Sequence, residues 1–263
     1  MKKKRLKNVF LGLVLLFLYL PIIILIFFSF NNSKMNIVFE GFTTHWYKVL
    51  FTNKELLQAF FNTMIIAVTS TIISTIIGTI GAIGLDKYNF KFKKLINILI
   101  YIPIVIPEIV LGIALLSVYT FAKLDLGMFT LILSHIAFSI PFVLVSVRSS
   151  LAENIRLYEE AAYDLGADKF NVFKRITLPL IMPGVISGAT LAFTLSLDDV
   201  VISYFTAGPG SNTLPLKIYS IIKTGITPDV NALSTLMLLF TVLILTGSLL
   251  LQSRKIANGG RFR

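Results

Sequence analysis

The chain has no cysteine, a single tryptophan, two histidines and only 13 acidic residues in 263 positions. The absence of cysteine excludes disulfides, thiolate metal sites and a cysteine nucleophile. The two histidines, His45 and His135, lie far apart and have no second ligand at metal-binding spacing, so no metal site is expected. No phosphate-cradling glycine loop and no nucleophile motif is present, and a membrane enzyme is disfavoured because no catalytic constellation can be assembled. Charge is scarce too. Charged residues make up 14% of the chain against 56% hydrophobic ones, with a mean hydropathy of +0.84. A soluble domain of this size carries more charge, so the apolar surplus is expected to face lipid.

What the chain has in quantity is long apolar runs. Six are read as membrane spans: Val9–Phe30, Phe61–Leu85, Leu95–Phe121, Met128–Val147, Leu180–Phe205 and Ala232–Leu251. Each approaches or exceeds the roughly 20 residues that cross about 30 Å of hydrocarbon as a helix. The expected fold class is therefore all-α, a polytopic membrane protein of six transmembrane helices, since a lipid-exposed backbone must satisfy its own hydrogen bonds. The first run follows Lys2-Lys3-Lys4-Arg5, but it is too long for a signal peptide and lacks a small-residue cleavage site, so it is read as a retained span.

The net charge of +11 does not describe a nucleic-acid surface, because the basic residues fall in short runs between spans and form no contiguous face. Their distribution sets an orientation instead. Termini and connections on one side carry 18 Lys and Arg, and those on the other carry 6. The positive-inside rule then places both termini and the connection 148–179 in the cytoplasm of a cell (inner) membrane protein. On the outer side, loop 31–60 carries Phe42, Trp46, Tyr47, Leu50 and Phe51 at helical spacing. It reads either as an interfacial anchor or as part of an external mouth.

Segment 153–183 differs from the rest in being polar and mixed in charge. Ile155, Tyr158, Ala162 and Leu165 fall on one helical face. Gly166 suits a helix-ending position of positive φ, and Asp168 suits the N-cap of a second short helix with Phe170, Phe173 and Ile176 on its apolar side. Pro179 is expected to stop that helix before the fifth span. Such a helix–turn–helix suits either docking or a purely structural loop.

At this point the residues carry a resemblance. Glu160-Ala161-Ala162, three residues, Gly166, nine residues, then Ile176-Thr177-Leu178-Pro179 matches the EAA loop of ABC importer permeases at every position. The chain resembles the type I (MetI-like) permease family, with a five-span core over 61–252 after an amino-terminal span and aromatic loop (1–60) and before a tail (253–263). Leu195–Val201, Gly208-Pro209, Leu214–Tyr219 and Pro228–Leu233 are similar to permeases of spermidine/putrescine importers. The resemblance implies that Glu160, Ala161, Ala162, Gly166, Ile176, Leu178 and Pro179 couple to an ATPase. It also implies partner chains: ABC ATPase subunits in a dimer that hold the ATP and Mg²⁺, a second homologous permease, and an extracytoplasmic polyamine-binding protein. No cofactor is expected on this chain.

Three carboxylates, Glu108, Asp198 and Asp199, interrupt apolar runs, where each costs about 2.5–3.5 kcal/mol at a helix centre. Glu108 follows Pro103 and Pro107, which break a span and free carbonyls. A polyamine needs carboxylates for its amines and aromatic or apolar walls between them, so the expected cargo path is Glu108, Asp198, Asp199, Ser196, Trp46 and Tyr204. Adjacent residues on a helix point about 100° apart, so Asp198 and Asp199 share a site only where the backbone is irregular. Alternatively Glu108 is protonated, or Asp198 and Asp199 cap a helix end. His135 reads as a buried, hydrogen-bonded neutral residue, and Gly78, Gly81 and Gly84 as a close-packing helix face. Two alternatives stay open: a permease for another cargo, and an ATP-independent secondary transporter in which the acids and His135 relay protons.

Overall fold

The computed structural model describes residues 2–33, 38–151, 153–224 and 228–259. Lys34, residues 260–263 of the tail, and the side chains of the basic run Lys2–Arg5 and of 253–259 lie outside the described residues. The described residues are helical apart from short connections, with one isolated β-bridge between Asn31 and Phe42. The chain divides into two compact units, Met1–Gln58 with Lys217–Val242, and Ala59–Leu216 with Leu243–Arg263.

In the first unit, α1 (Lys2–Phe28) is followed by α2 (His45–Thr52). Asn31 organises the turn between them. Its Nδ2 donates to the Val38 carbonyl at 2.7 Å, and its Oδ1 accepts from the Glu40 N–H at 2.9 Å. Trp46 Nε1 donates to the Asn31 carbonyl at 2.6 Å, the Tyr47 hydroxyl meets Ser29 Oγ at 2.8 Å, and Phe30 stacks on Phe42 at 4.9 Å. A buried backbone carbonyl and an indole N–H each need a partner, and here each satisfies the other.

The second unit is built on α3 (Lys54–Lys87), which starts in the first, α4 (Lys93–Val105), α5 (Glu108–Phe121) and α6 (Met128–Ser149). Next come α7 (Glu153–Asp164), α8 (Lys169–Val172), a π-helical turn (Phe173–Thr177), α9 (Leu178–Asp198) and α10 (Val201–Thr206). The chain continues through α11 (Leu214–Thr224) and α12 (Pro228–Gly259).

Packing centres on α6. Gly184 and Gly188 of α9 lie against Ser146, Ser150 and the Val143 backbone, and a Cβ on Gly188 would sit 3.0 Å from Val143 Cα. A Cβ on Gly78 of α3 would sit 2.8 Å from Val143 Cβ. Small residues let backbones approach, which is how helices associate where lipid supplies no hydrophobic drive. Of the three expected packing glycines, Gly78 and Gly81 meet α6, whereas Gly84 has nothing within 4 Å of its would-be Cβ. Ala82, Leu85, Val143, Leu144, Val147, Ile155, Ile181 and Ala192 form the buried core.

Among the described residues, five helices are long and apolar enough to cross a membrane, and six spans result if α4 and α5 count as one. The third run, Leu95–Phe121, is not a continuous helix. It breaks at Ile106-Pro107 and bends by 112°. Pro107 removes an N–H and pushes Ile106 to extended backbone (ψ 137°), as the Pro-rich sequence led one to expect. The fifth run also differs from expectation. It begins earlier, at Lys169, and its helix ends at Asp198 rather than Phe205. Pro179 does not stop a helix. The Leu178 N–H reaches back five residues to the Phe173 carbonyl, and this wider π turn carries the chain into α9 with Pro179 in its first turn, where no N–H is needed.

Candidate functional site

Two sites emerge, one at the α9–α10 break and one on the 148–179 connection. At the break, Asp199 leaves α9 with extended backbone (ψ 124°). Its Oδ1 accepts the Ile202 N–H at 3.1 Å and its Oδ2 the Ser203 N–H at 2.7 Å, so this buried carboxylate caps α10. His135 of α6 is fully buried beside it. Its Nδ1 lies 2.6 Å from Ser196 Oγ, its Nε2 3.2 Å from Ser203 Oγ and 3.6 Å from Asp199 Oδ2. Ser196 Oγ also meets Ser70 Oγ of α3 at 3.3 Å. Both ring nitrogens are therefore partnered, and α3, α6, α9 and α10 share one buried polar network.

The break separates the six residues expected on a cargo path. Ser196 and Asp199 are buried and bonded internally. Asp198 and Glu108 are exposed, as is Tyr204, which packs edge-on against Phe205 at 5.4 Å. Phe205 fills the space over Gly112, where a Cβ would lie 2.6 Å away, and this seats α5, with Glu108 in its first turn, against α10. The backbone irregularity that two adjacent acids require is present, and it lets one cap a helix while the other stays accessible. Trp46 belongs to the first unit, where its N–H serves the Asn31 turn.

On the connection, Gly166 has φ +83°, a conformation an L-residue rarely adopts, and it turns the chain out of α7. Asp168 caps α8, accepting from the N–H groups of Phe170 and Asn171 at 2.9 and 3.0 Å. These hydrogen bonds, with that from the Asn171 side chain, hold its carboxyl below the ordinary carboxylate value. The apolar face differs from expectation. Ile155 is buried, but Tyr158 and Leu165 are exposed, the latter by 89%. The buried face is instead Ile155 and Glu159, one helical turn apart. Glu159 accepts from Lys87 Nζ at 2.7 Å and from Thr177 Oγ1. Glu160, about 100° round the helix, is exposed and pairs with Arg156 at 3.2 Å. A cavity of about 460 Å³ beside it is lined by residues that include Asp86, Arg156, Glu159, Glu160 and Tyr163. Glu159 was not among the expected coupling residues, and its i, i+4 relation to Ile155 was the available signal.

The chain thus joins broken apolar spans to a short helical connection whose exposed face carries Leu157, Tyr158 and Leu165. The chain belongs to the family of binding-protein-dependent transport system inner membrane components, whose pattern matches residues 74–254. It is 42% identical over 257 residues to the spermidine/putrescine transport system permease protein PotC of Escherichia coli K12, covering 97% of both chains. It is 41% identical over 229 residues to the putrescine transport system permease protein PotI of the same organism, covering 84% of this chain and 82% of that one. Among solved structures, a bacterial ABC transporter that imports alginate matches with a TM-score of 0.70 at 15% identity, over 92% of this chain and 94% of that one. The inward-facing methionine transporter MetNI matches at 0.61 and 17%, over 81% and 99%. The structural likeness shows a shared fold. The chain is thus a multi-pass membrane permease, a transport subunit and not an enzyme.

Proposed function

We propose that this chain is one permease subunit of an ATP-driven polyamine importer, passing spermidine or putrescine inward past Asp198 and Glu108. The observation that carries the cargo is the accessible carboxylate pair at two helix breaks, in a chain 42% identical along nearly its whole length to a spermidine/putrescine permease. Ammonium groups are matched by these acids, and Tyr204 offers an aromatic wall. The alternative of an anionic cargo is disfavoured by the same acids.

The partners follow from the family. Two ABC ATPase subunits bind ATP and Mg²⁺, this chain itself holding no cofactor. A second homologous permease completes the path, and an extracytoplasmic polyamine-binding protein delivers cargo. Both termini face the cytoplasm, as the 18-to-6 basic distribution supports. The connection 148–179 then meets the ATPase through its outward face: Glu160 and Ala161, with the exposed Leu157, Tyr158 and Leu165. Gly166 holds the turn behind this face, with Ala162 only partly exposed, and Ile176, Leu178 and Pro179 lead from it into α9.

The test is uptake of labelled spermidine and putrescine by cells that lack other polyamine importers and express this permease with its partners. Saturable, ATP-dependent uptake that Asp198→Asn reduces is expected, and absence of uptake for both polyamines overturns the cargo. For the docking face, Glu160→Ala and Gly166→Leu should insert normally but copurify less ATPase. Undiminished copurification in both overturns that assignment.

A further inference from the structure

Glu160 is exposed while its neighbour Glu159, about 100° round α7, is buried, and this division has a mechanical meaning. The inward face of α7 meets the spans through Ile155, in the core formed by α3, α6 and α9, and through the Glu159 carboxylate. That carboxylate is bonded at once to Lys87, the last residue of α3, and to Thr177, the last residue of the π turn that opens into α9. The Glu159 side chain is 8% exposed and that of Lys87 32%, so solvent screens the pair only in part. One side chain thus ties the connection to the ends of two spans, α9 of which ends at Asp198.

We infer that Glu159 is the positioning residue through which movement of the connection reaches the spans, Lys87 and Thr177 being the points where it enters α3 and α9. The inference rests on the reading that the ATPase docks on the outward face. Apolar contact through Ile155 resists separation but lets surfaces slide. A charge-assisted hydrogen bond to two fixed donors has direction, and transmits a lateral pull. Removing Glu159 therefore leaves docking intact and lets α7 move without α3 and α9.

The experiment uses the complete importer in proteoliposomes with Glu159→Gln, Lys87→Met and the double exchange Lys87→Glu with Glu159→Lys. Three quantities are read: ATPase copurified per permease, ATP hydrolysed, and cargo carried per ATP. The single variants are expected to keep ATPase binding and hydrolysis while cargo per ATP falls by about tenfold, and the exchange to recover most of it, as coupling between contacting charges requires. Unchanged cargo per ATP in both single variants overturns the inference. So does an exchange no better than the singles, or loss of bound ATPase in the singles, which would make Glu159 part of the docking face. Where Glu159→Gln fails to accumulate, Lys87→Met, at a partly exposed site, gives the same reading. Failure of the docking reading is separate, appearing as normal ATPase binding in Glu160→Ala and Gly166→Leu.

Discussion

His135 Nδ1 stands 2.6 Å from Ser196 Oγ, two side chains 61 residues apart whose bond joins the middle of α6 to the last turn of α9. Because the other ring nitrogen faces Ser203 and Asp199, the imidazole spans the α9–α10 break. His135→Ala is expected to destabilise the permease by about 2–4 kcal/mol, since it creates a cavity and strips partners from buried hydroxyls. Thermal unfolding in detergent measures this, and a melting temperature equal to that of the unsubstituted protein would show that the network is dispensable.

Asp198 and Asp199 should respond differently to the same change. Asp198→Asn leaves the fold in place and is expected to raise the KM of polyamine uptake by about tenfold, as loss of one partly screened charge contact to an ammonium predicts. Asp199→Asn weakens a buried cap and should lower stability by about 1.5–3 kcal/mol, the worth of hydrogen bonds to a charged acceptor. Uptake kinetics and membrane accumulation, measured side by side, separate the two roles.

The glycines of α3 offer a second contrast. Gly78→Ala must displace Val143 and is expected to cost about 1–3 kcal/mol through overpacking. Gly84→Ala meets nothing and should stabilise the helix by about 0.5–1 kcal/mol. Thermal unfolding of the two variants should move in opposite directions.

Asp168 gives a pH signature. Its folded pKa lies below the ordinary value of about 3.8, so its cap contributes fully above that value and is lost as pH falls through the lower, folded one. Amide exchange at Phe170 and Asn171 should accelerate in that acid window. In Asp168→Ala it should already be fast at neutral pH, with the acid-dependent step gone.

Much of this was legible from residues in order. Apolar run length located the spans, Pro103 and Pro107 foretold the break before Glu108, and Gly166 and Asp168 announced a turn and a cap. These signals act over a few residues, where sequence distance and spatial distance agree. His135 with Ser196 and Lys87 with Glu159 are relations 61 and 72 residues apart, set by how α6 meets α9 and how α7 lies across α3. Glu159 and Glu160 are chemically identical neighbours, and only packing decides which turns inward. Pro179 carried a stop signal that the π turn overrides, because a wider turn accommodates the ring that a regular one excludes.

That π turn makes the nine-residue interval between Gly166 and Ile176 an angular setting as well as a length. One residue is held out of α-helical phase at Phe173–Thr177. The wider turn absorbs one residue more than a regular turn holds, so deleting a residue there would let it close to a regular helix with α9 facing as before, whereas deleting one from α8 would rotate α9 by about 100° against the Gly166 turn. In the second case Gly184 and Gly188 would swing away from α6, and Asp198 would face another quarter of the molecule. The interval thus has one place where its residue count can change without turning α9, and that place is the π turn.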